Sequence, residues 1–277
     1  MSPLPAGFGR NLRARLLTAL VALPALLAAL LLGPPLLGVA VVGLAVLLGL
    51  REFYGLLGAR QIVPLHKTGL LVAALIFLEE ARVAQVGPPL WPLVALLLLT
   101  ATLRRAGDLE RTVPAAAATF LGATYLGALG GSMAGLRLIE PVQEGAARLL
   151  LLLLVIWCSD TFAFFTGYAV GRHKLAPRIS PGKTVEGALG GLLGGVAGAL
   201  LVRAWALPRL PLPDAALLGM GVAALGIVGD LLESLLKRWA GLKDSGALFP
   251  GHGGMLDRLD SLLFGAPVLY VYFSLGR

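Results

Sequence analysis

Charge is scarce in this sequence: only 14% of its 277 residues are Asp, Glu, Lys or Arg, where soluble domains carry roughly 25%. The shortage excludes an ordinary soluble domain, because runs such as Leu149–Ile156 and Ala215–Val228 leave their helices almost no polar face to turn toward water. Cysteine is limited to one residue, Cys158, so no intrachain disulfide can close. In an apolar run beside Ser159 and Asp160, it reads as a small core residue and not as a reactive thiol. The chain also lacks a soluble segment and an internal repeat.

What it has instead is apolar mass, 57% hydrophobic residues with a mean hydropathy of +0.86. This points to an all-α, polytopic integral membrane protein. A net charge of +8 would suggest nucleic acid in a soluble protein. Here the basic residues gather between apolar runs, the positive-inside pattern, so no nucleic-acid partner is expected. Arg10, Arg13 and Arg15 ahead of Leu16–Leu32 imitate a secretion signal, but the run is too long for a signal core and more spans follow at once.

Crossing the hydrocarbon core takes about 20 helical residues, fewer where protein shields the ends. That yardstick predicts nine transmembrane helices: Leu16–Leu32, Pro34–Leu50, Thr68–Val86, Leu90–Leu103, Val113–Leu136, Leu149–Val170, Ala188–Leu207, Asp214–Leu236 and Leu262–Leu275. With a cytoplasmic amino terminus, only Arg82, Arg137, Arg148, Arg203, Arg209 and Arg277 of the 23 Lys and Arg residues fall on the far side. Dropping a middle helix would scramble that partition. Glycine pairs at Gly130–Gly131, Gly190–Gly191 and Gly194–Gly195 lie inside spans and are expected to let helices approach closely. Two connections differ from the rest: Gly171–Gly187 and Lys237–Ser261 are polar, rich in Gly and Pro, and on the cytoplasmic side.

The densest polar cluster is Gly229–Asp260. Asp230, Glu233 and Lys237 recur there at helical spacing, and Asp257 and Asp260 are one turn apart. Such carboxylates can hold a hard cation, since Mg²⁺ commonly binds through one or two of them plus substrate phosphates. Lys237, Arg238, Lys243 and Arg258, with Lys183 from the other connection, are enough cations to neutralise two phosphate groups. The Pro250–Gly254 stretch would let backbone amides approach phosphate oxygens. Bland readings exist for each part. Lys237 and Arg238 can simply anchor a helix end at the headgroups, Asp257, Arg258 and Asp260 can form a local ion pair, and His252 can be a loop histidine. A plain connection, however, has no need of so many acids, bases and glycines together. Asp160 is weighed separately, because a carboxylate near mid-span costs about 2.5–3.5 kcal/mol and is rarely kept without a partner. Gly182-Lys183-Thr184 imitates the end of a phosphate-binding loop, but Pro177 stands where that motif needs glycine and no strand is expected before it.

Taken together, Ser234-Leu-Leu-Lys237-Arg238, Lys243-Asp244, Pro250-Gly-His252-Gly253-Gly254 and Asp257-Arg258-Leu-Asp260 resemble the diagnostic motif of the phosphatidate cytidylyltransferases, or CDP-diacylglycerol synthases. Ser180-Pro-Gly-Lys183-Thr184-Val-Glu186-Gly187 is similar to that family's other loop, with Gly182 where a lysine is expected, and Asp160 resembles its acidic position in the sixth helix. The resemblance covers roughly the carboxyl-terminal half. It implies transfer of CMP from CTP to phosphatidic acid with release of pyrophosphate, at the cytoplasmic face of a bacterial inner membrane, by a homodimer that requires Mg²⁺, alone or with a second cation. Asp230, Asp257, Asp260 and Asp160 are then the expected metal ligands. Lys237, Arg238 and Arg258 are expected at the reacting phosphates, and Ser180, Lys183, Thr184, Glu186, Ser234, Lys243, Asp244, His252, Gly253 and Gly254 along the substrates. The chain reads as one transmembrane domain, 1–277, with 1–147 a scaffold offering dimer contacts and 148–277 the catalytic half. The attacking phosphate oxygen is already ionised, so no strong general base is needed.

Three rivals stand beside this reading. A transporter or channel would also carry intramembrane acids, but its polar residues should run through the bundle instead of gathering at one face. A CTP-dependent lipid kinase would release CDP and not pyrophosphate. A purely structural membrane protein leaves the charge density at Asp230–Asp260 without a purpose.

Overall fold

The computed structural model describes residues 23–104, 109–248 and 253–276. Among the described residues there are nine α-helices: α1 (Leu23–Leu31), α2 (Pro35–Gly58), α3 (His66–Glu80), α4 (Leu90–Leu103), α5 (Leu109–Gly135), α6 (Gly145–Val170), α7 (Val185–Trp205), α8 (Leu212–Ala240) and α9 (Leu256–Ser274). Five stretches, Pro35–Gly58, Glu110–Gly135, Val142–Val170, Val185–Trp205 and Leu212–Ala240, are long and apolar enough to cross a membrane. The chain is thus an all-helical membrane protein with at least these five candidate spans. Its outer surface is greasy in keeping: Leu193 on α7 is 69% exposed and Leu99 on α4 is 65% exposed, which suits lipid and not water.

Close helix contacts set the architecture. The closest partners of α7 are α6 and α8, while α5 packs on α2, α3 and α9. The expected glycines make these approaches. A β-carbon at Gly194 would lie 2.6 Å from the Cys158 carbonyl oxygen of α6, and one at Gly195 would lie 2.6 Å from the Ala223 β-carbon of α8. Gly130 and Gly131 do the same for α5, against Val46 of α2 and Phe77 of α3. Beneath them Leu50, Phe53, Leu126, Leu152 and Leu256 form a continuous buried core.

Polar cross-links mark the two ends of the bundle. At one end, the Tyr270 hydroxyl of α9 donates to the Glu80 carbonyl (2.7 Å) and accepts from Arg82 Nε (3.2 Å), and Arg137 donates to the Gly33 carbonyl (2.7 Å). Arg148, 2% exposed, also lies there, with its guanidinium 4.9 Å from the Phe273 ring and bonded to Glu144. At the opposite end, Tyr54 donates to the Thr119 carbonyl (3.0 Å), and the Thr119 hydroxyl accepts from the Leu65 amide (2.8 Å). The polar pocket is at this second end.

The boundaries shift from expectation for local reasons. The run Pro34–Leu50 continues to Gly58, because Phe53, Tyr54, Leu56 and Leu57 extend the buried face past Arg51. Thr68–Val86 is cut short at Glu80: Arg82 is left-handed (φ 61°), and the Glu79 carboxylate turns back to accept the Val86 and Gly87 amides. The last helix begins at Leu256 and not Leu262, which makes Asp257 and Asp260 helical. Leu16–Leu32 is described only from Leu23 onward, as helix to Leu31.

One short element stands apart from the helices. Between α6 and α7 the strands β1 (Lys174–Ala176) and β2 (Ser180–Thr184) pair antiparallel, Lys174 opposite Thr184 and Ala176 opposite Ser180. Pro177 presets the turn between them, closed by the Ile179 amide on the Ala176 carbonyl (3.1 Å). A strand therefore does precede Gly182-Lys183-Thr184. Those residues lie within β2 itself instead of in a loop between strand and helix, so the phosphate-loop reading still fails, together with the missing glycine at Pro177.

The approach of α7 to α8 gives a direct check. Gly195→Leu must push α7 off α8, and its melting temperature in detergent is expected to fall by several degrees, since overpacking costs about 1–3 kcal/mol. An unchanged melt would contradict the packing.

Candidate active site

The pocket forms where the ends of α6 and α8 meet the start of α9. Asp160 on α6 and Asp230 on α8 each lie roughly 15 Å inside the end of their helix, at 1.5 Å per residue. Gly229 brings α9 beside them: a β-carbon there would lie 2.4 Å from the Asp260 carbonyl oxygen. The result is a cavity of about 290 Å³ whose walls include Asp160, Asp230, Glu233, Lys237, Asp244, Asp257, Arg258 and Asp260. A second cavity of about 660 Å³ adjoins it and shares Asp160 and Asp230. Its walls are apolar along α6, at Ala163, Phe164 and Tyr168, and cationic along the hairpin, at Lys174 and Lys183.

Seven of the expected residues therefore line the first cavity together with Glu233, and the acids among them outnumber the cations. Lys237 sits between two of them, its ammonium 3.0 Å from Glu233 and 2.6 Å from Asp257. Lys183 reaches across from β2 to pair with Asp230, which also accepts from the Ser234 hydroxyl (3.3 Å). Asp257 is fully engaged, because its other oxygen accepts from the Gly254 amide (2.7 Å), the Ser245 amide (3.0 Å) and the Ser245 hydroxyl (2.9 Å). Asp260 accepts the Ser261 amide (2.6 Å).

Several expected substrate contacts face inward or elsewhere. The Thr184 hydroxyl caps α7 by accepting the Gly187 amide (3.0 Å), and Glu186 accepts the Arg172 and His173 amides (3.1 and 3.2 Å) and pairs with the His173 ring (2.6 Å). Both are thereby tied to the hairpin's own geometry, with Thr184 also bordering the second cavity. The Gly254 amide is used by Asp257, so it does not point at a phosphate site as expected. Gly253 is left-handed (φ 82°), and a β-carbon there would lie 2.7 Å from the Asp257 carboxylate. Arg238 donates to the Ile179 carbonyl (3.4 Å), which ties α8 to the hairpin outside the cavity. Lys243 is exposed and Ser180 half-buried, and neither lines the two cavities. His252 lies outside the described residues.

The donor set can be tested against Mg²⁺. Among the described residues no three His, Cys, Asp or Glu side chains converge closely enough to cage an ion on their own. Mg²⁺ does not need that, since it usually takes one or two carboxylates and completes its shell with water and substrate phosphates. With Asp257 spent on Lys237 and Ser245, the carboxylates that fit are Asp160, Asp230 and Asp260, a smaller set than the four expected.

Sequence reasoning missed one acid near this site. Glu52, on α2, accepts the Met255 and Leu256 amides (2.9 and 2.8 Å) and the Ser245 hydroxyl (2.9 Å). A signal was available: Glu52 and its neighbour Arg51 are the only charged residues in a 24-residue apolar helix, and an ionisable residue in such a place is a site candidate by default.

Comparison with known proteins agrees with the motif. Residues 13–275 match the cytidylyltransferase family, and the chain belongs to that family. The family moves CMP from CTP to phosphatidate and makes CDP-diacylglycerol, and this chain is an enzyme of that kind. A phosphatidate cytidylyltransferase of Synechocystis is 33% identical over 264 residues, 85% of this chain and 88% of that protein. Those of Thermotoga maritima and Bacillus subtilis are 47% and 44% identical over shorter alignments, which span about half of each relative (50% and 49%).

The charge bridge predicts a stability difference between two lysines. Lys237→Met leaves Glu233 and Asp257 without their cation and should lower the unfolding free energy in detergent by about 3 kcal/mol. Lys243→Met, at an exposed position, should change it by less than about 0.5 kcal/mol. Equal effects would refute the bridge.

Proposed function

We propose that the cavity bounded by Asp160, Asp230 and Asp260 carries out CMP transfer from CTP to phosphatidate, at the cytoplasmic side of a bacterial inner membrane and with Mg²⁺ bound. The observation that carries this reading is the charge balance of the pocket. Its carboxylates are Asp160, Asp230, Glu233, Asp244, Asp257 and Asp260, against Lys237 and Arg258 on its walls and Lys183 at its edge. Two polyanionic substrates would be repelled from such a wall unless a cation came with them.

The ion, held by one or two of Asp160, Asp230 and Asp260 and by the substrate phosphates, would supply positive charge to the phosphate oxygens. The chain's own part is positioning. Lys183 and Lys174 line the junction between the polar cavity and the apolar groove, where a lipid phosphate would rest with its acyl chains along Phe164 and Tyr168. Tyr168 is 86% exposed on the outer wall, so the groove opens toward lipid. The phosphatidate oxygen is already anionic and attacks the α-phosphorus of CTP; the bond to the β-phosphate breaks, and pyrophosphate leaves. No side chain has to remove a proton, which accounts for a pocket of acids and cations with no histidine among the described residues of its walls.

The bundle supports the orientation. Arg51, Arg60, Lys67, Lys174, Arg178 and Lys243 belong to segments at the pocket's end, while Arg82, Arg137 and Arg203 belong to the opposite end. A cytoplasmic pocket therefore agrees with the positive-inside rule, as do nine crossings with the amino terminus inside. The homodimer rests on family resemblance alone, since the glycines that would have permitted one pack within the chain.

Purified protein given CTP, Mg²⁺ and phosphatidate should release pyrophosphate and form CDP-diacylglycerol. With diacylglycerol in place of phosphatidate it should do nothing; release of CDP in that arm would establish a lipid kinase instead. Asp160→Ala should cut turnover about tenfold or more with normal expression, and unchanged kinetics would remove Asp160 from the site.

A further inference from the structure

The remaining acid of the site comes from the half of the chain expected to be scaffold. Glu52 lies near the end of α2, and its three accepted hydrogen bonds all reach the segment that leads into α9. Two come from the Met255 and Leu256 amides, donors at a helix start that have no partner within the helix, where a carboxylate is also favoured by the helix dipole. The third comes from the Ser245 hydroxyl, which lies 2.9 Å from Glu52 and 2.9 Å from Asp257. One hydroxyl has one proton, so Ser245 serves the two carboxylates in turn and links their positions.

The surrounding glycines are shaped to this carboxylate. A β-carbon at Gly254 would lie 2.2 Å from Glu52 Oε2, and one at Gly246 would lie 2.4 Å from Oε1. The connecting segment thus closes around Glu52 from two sides. Glu52 borders neither cavity; its influence passes through Ser245 and the first two turns of α9, which carry Asp257 and Asp260.

We infer that Glu52 is a positioning residue of the transfer reaction: it fixes the start of α9, and so sets Asp260 against Asp230 and Asp160. The inference rests on the pocket being the reaction site. It makes the amino-terminal helices part of the working enzyme and not only its frame.

The test uses the full-length protein in detergent or vesicles, with CTP and phosphatidate as substrates. Glu52→Gln keeps the size but loses the charge and one acceptor. Its kcat is expected to fall about tenfold or more, as small misplacements of catalytic groups do. The Mg²⁺ concentration for half-maximal activity should rise several-fold, and Glu52→Asp should recover part of the loss. A tie of merely structural value would lower the melting temperature and leave kcat and the Mg²⁺ curve of the folded protein unchanged, and that result overturns the inference. If Glu52→Gln does not fold, Ser245→Ala decides: a raised Mg²⁺ requirement supports the inference, and a wild-type curve overturns it. Asp230→Asn serves as reference. If it is inactive while Glu52→Gln is normal, only the role of Glu52 fails; if it too is fully active, the assignment of the pocket fails.

Discussion

Carboxylates gathered well inside the ends of membrane helices repel one another and lose their hydration, and the polar architecture of this protein answers that cost. Lys237 is held between Glu233 and Asp257, Lys183 crosses from the hairpin to Asp230, and backbone amides at Ser245 and Gly254 finish the shell of Asp257. A buried ion pair of this kind is costly to break and gives little net stability when intact. Its value lies in holding α8, α9 and the hairpin in one arrangement. The charge that these cations do not cover, on Asp160 and Asp260, is the part left to attract something from outside.

Helix contact makes that arrangement possible. Gly229 lets the Asp260 backbone come within reach of α8, and Gly194 and Gly195 seat α7 between α6 and α8. Because α6 and α8 both pack on α7 and also touch each other, Asp160 and Asp230 meet on one wall. The same close packing carries the hairpin to the pocket, since β2 runs directly into α7 and the Thr184 cap fixes where Lys183 stands. The two adjoining cavities differ accordingly, the first lined by acids and cations and the second running along Phe164 and Tyr168.

Much of this was legible in the sequence. Long apolar runs separated by basic turns give helices, and each described helix overlaps a predicted one. The spacing of Asp230, Glu233 and Lys237 placed them on one face, and the family motif named the segment that holds Asp257 and Asp260. Other features were not legible, for physical reasons. A three-residue strand such as Lys174–Ala176 is too short to show alternation, so the hairpin read as a loop. Whether a lysine at helical spacing turns toward solvent phosphates or between two acids depends on what packs against it, and α9 decides that for Lys237. Glu52 was overlooked because Arg51 beside it looked like a helix end, and its partners lie some 200 residues away in sequence.

The central claim is that this pocket is too acidic to hold a nucleotide triphosphate without a divalent cation. Calorimetric titration of CTP into the purified protein, with Mg²⁺ and then with the cation chelated, tests it directly. The account predicts measurable binding in the first case and affinity lower by about a hundredfold or more in the second. Equal affinity in both would contradict it, and would mean that Lys183, Lys237 and Arg258 are by themselves enough to receive the substrate.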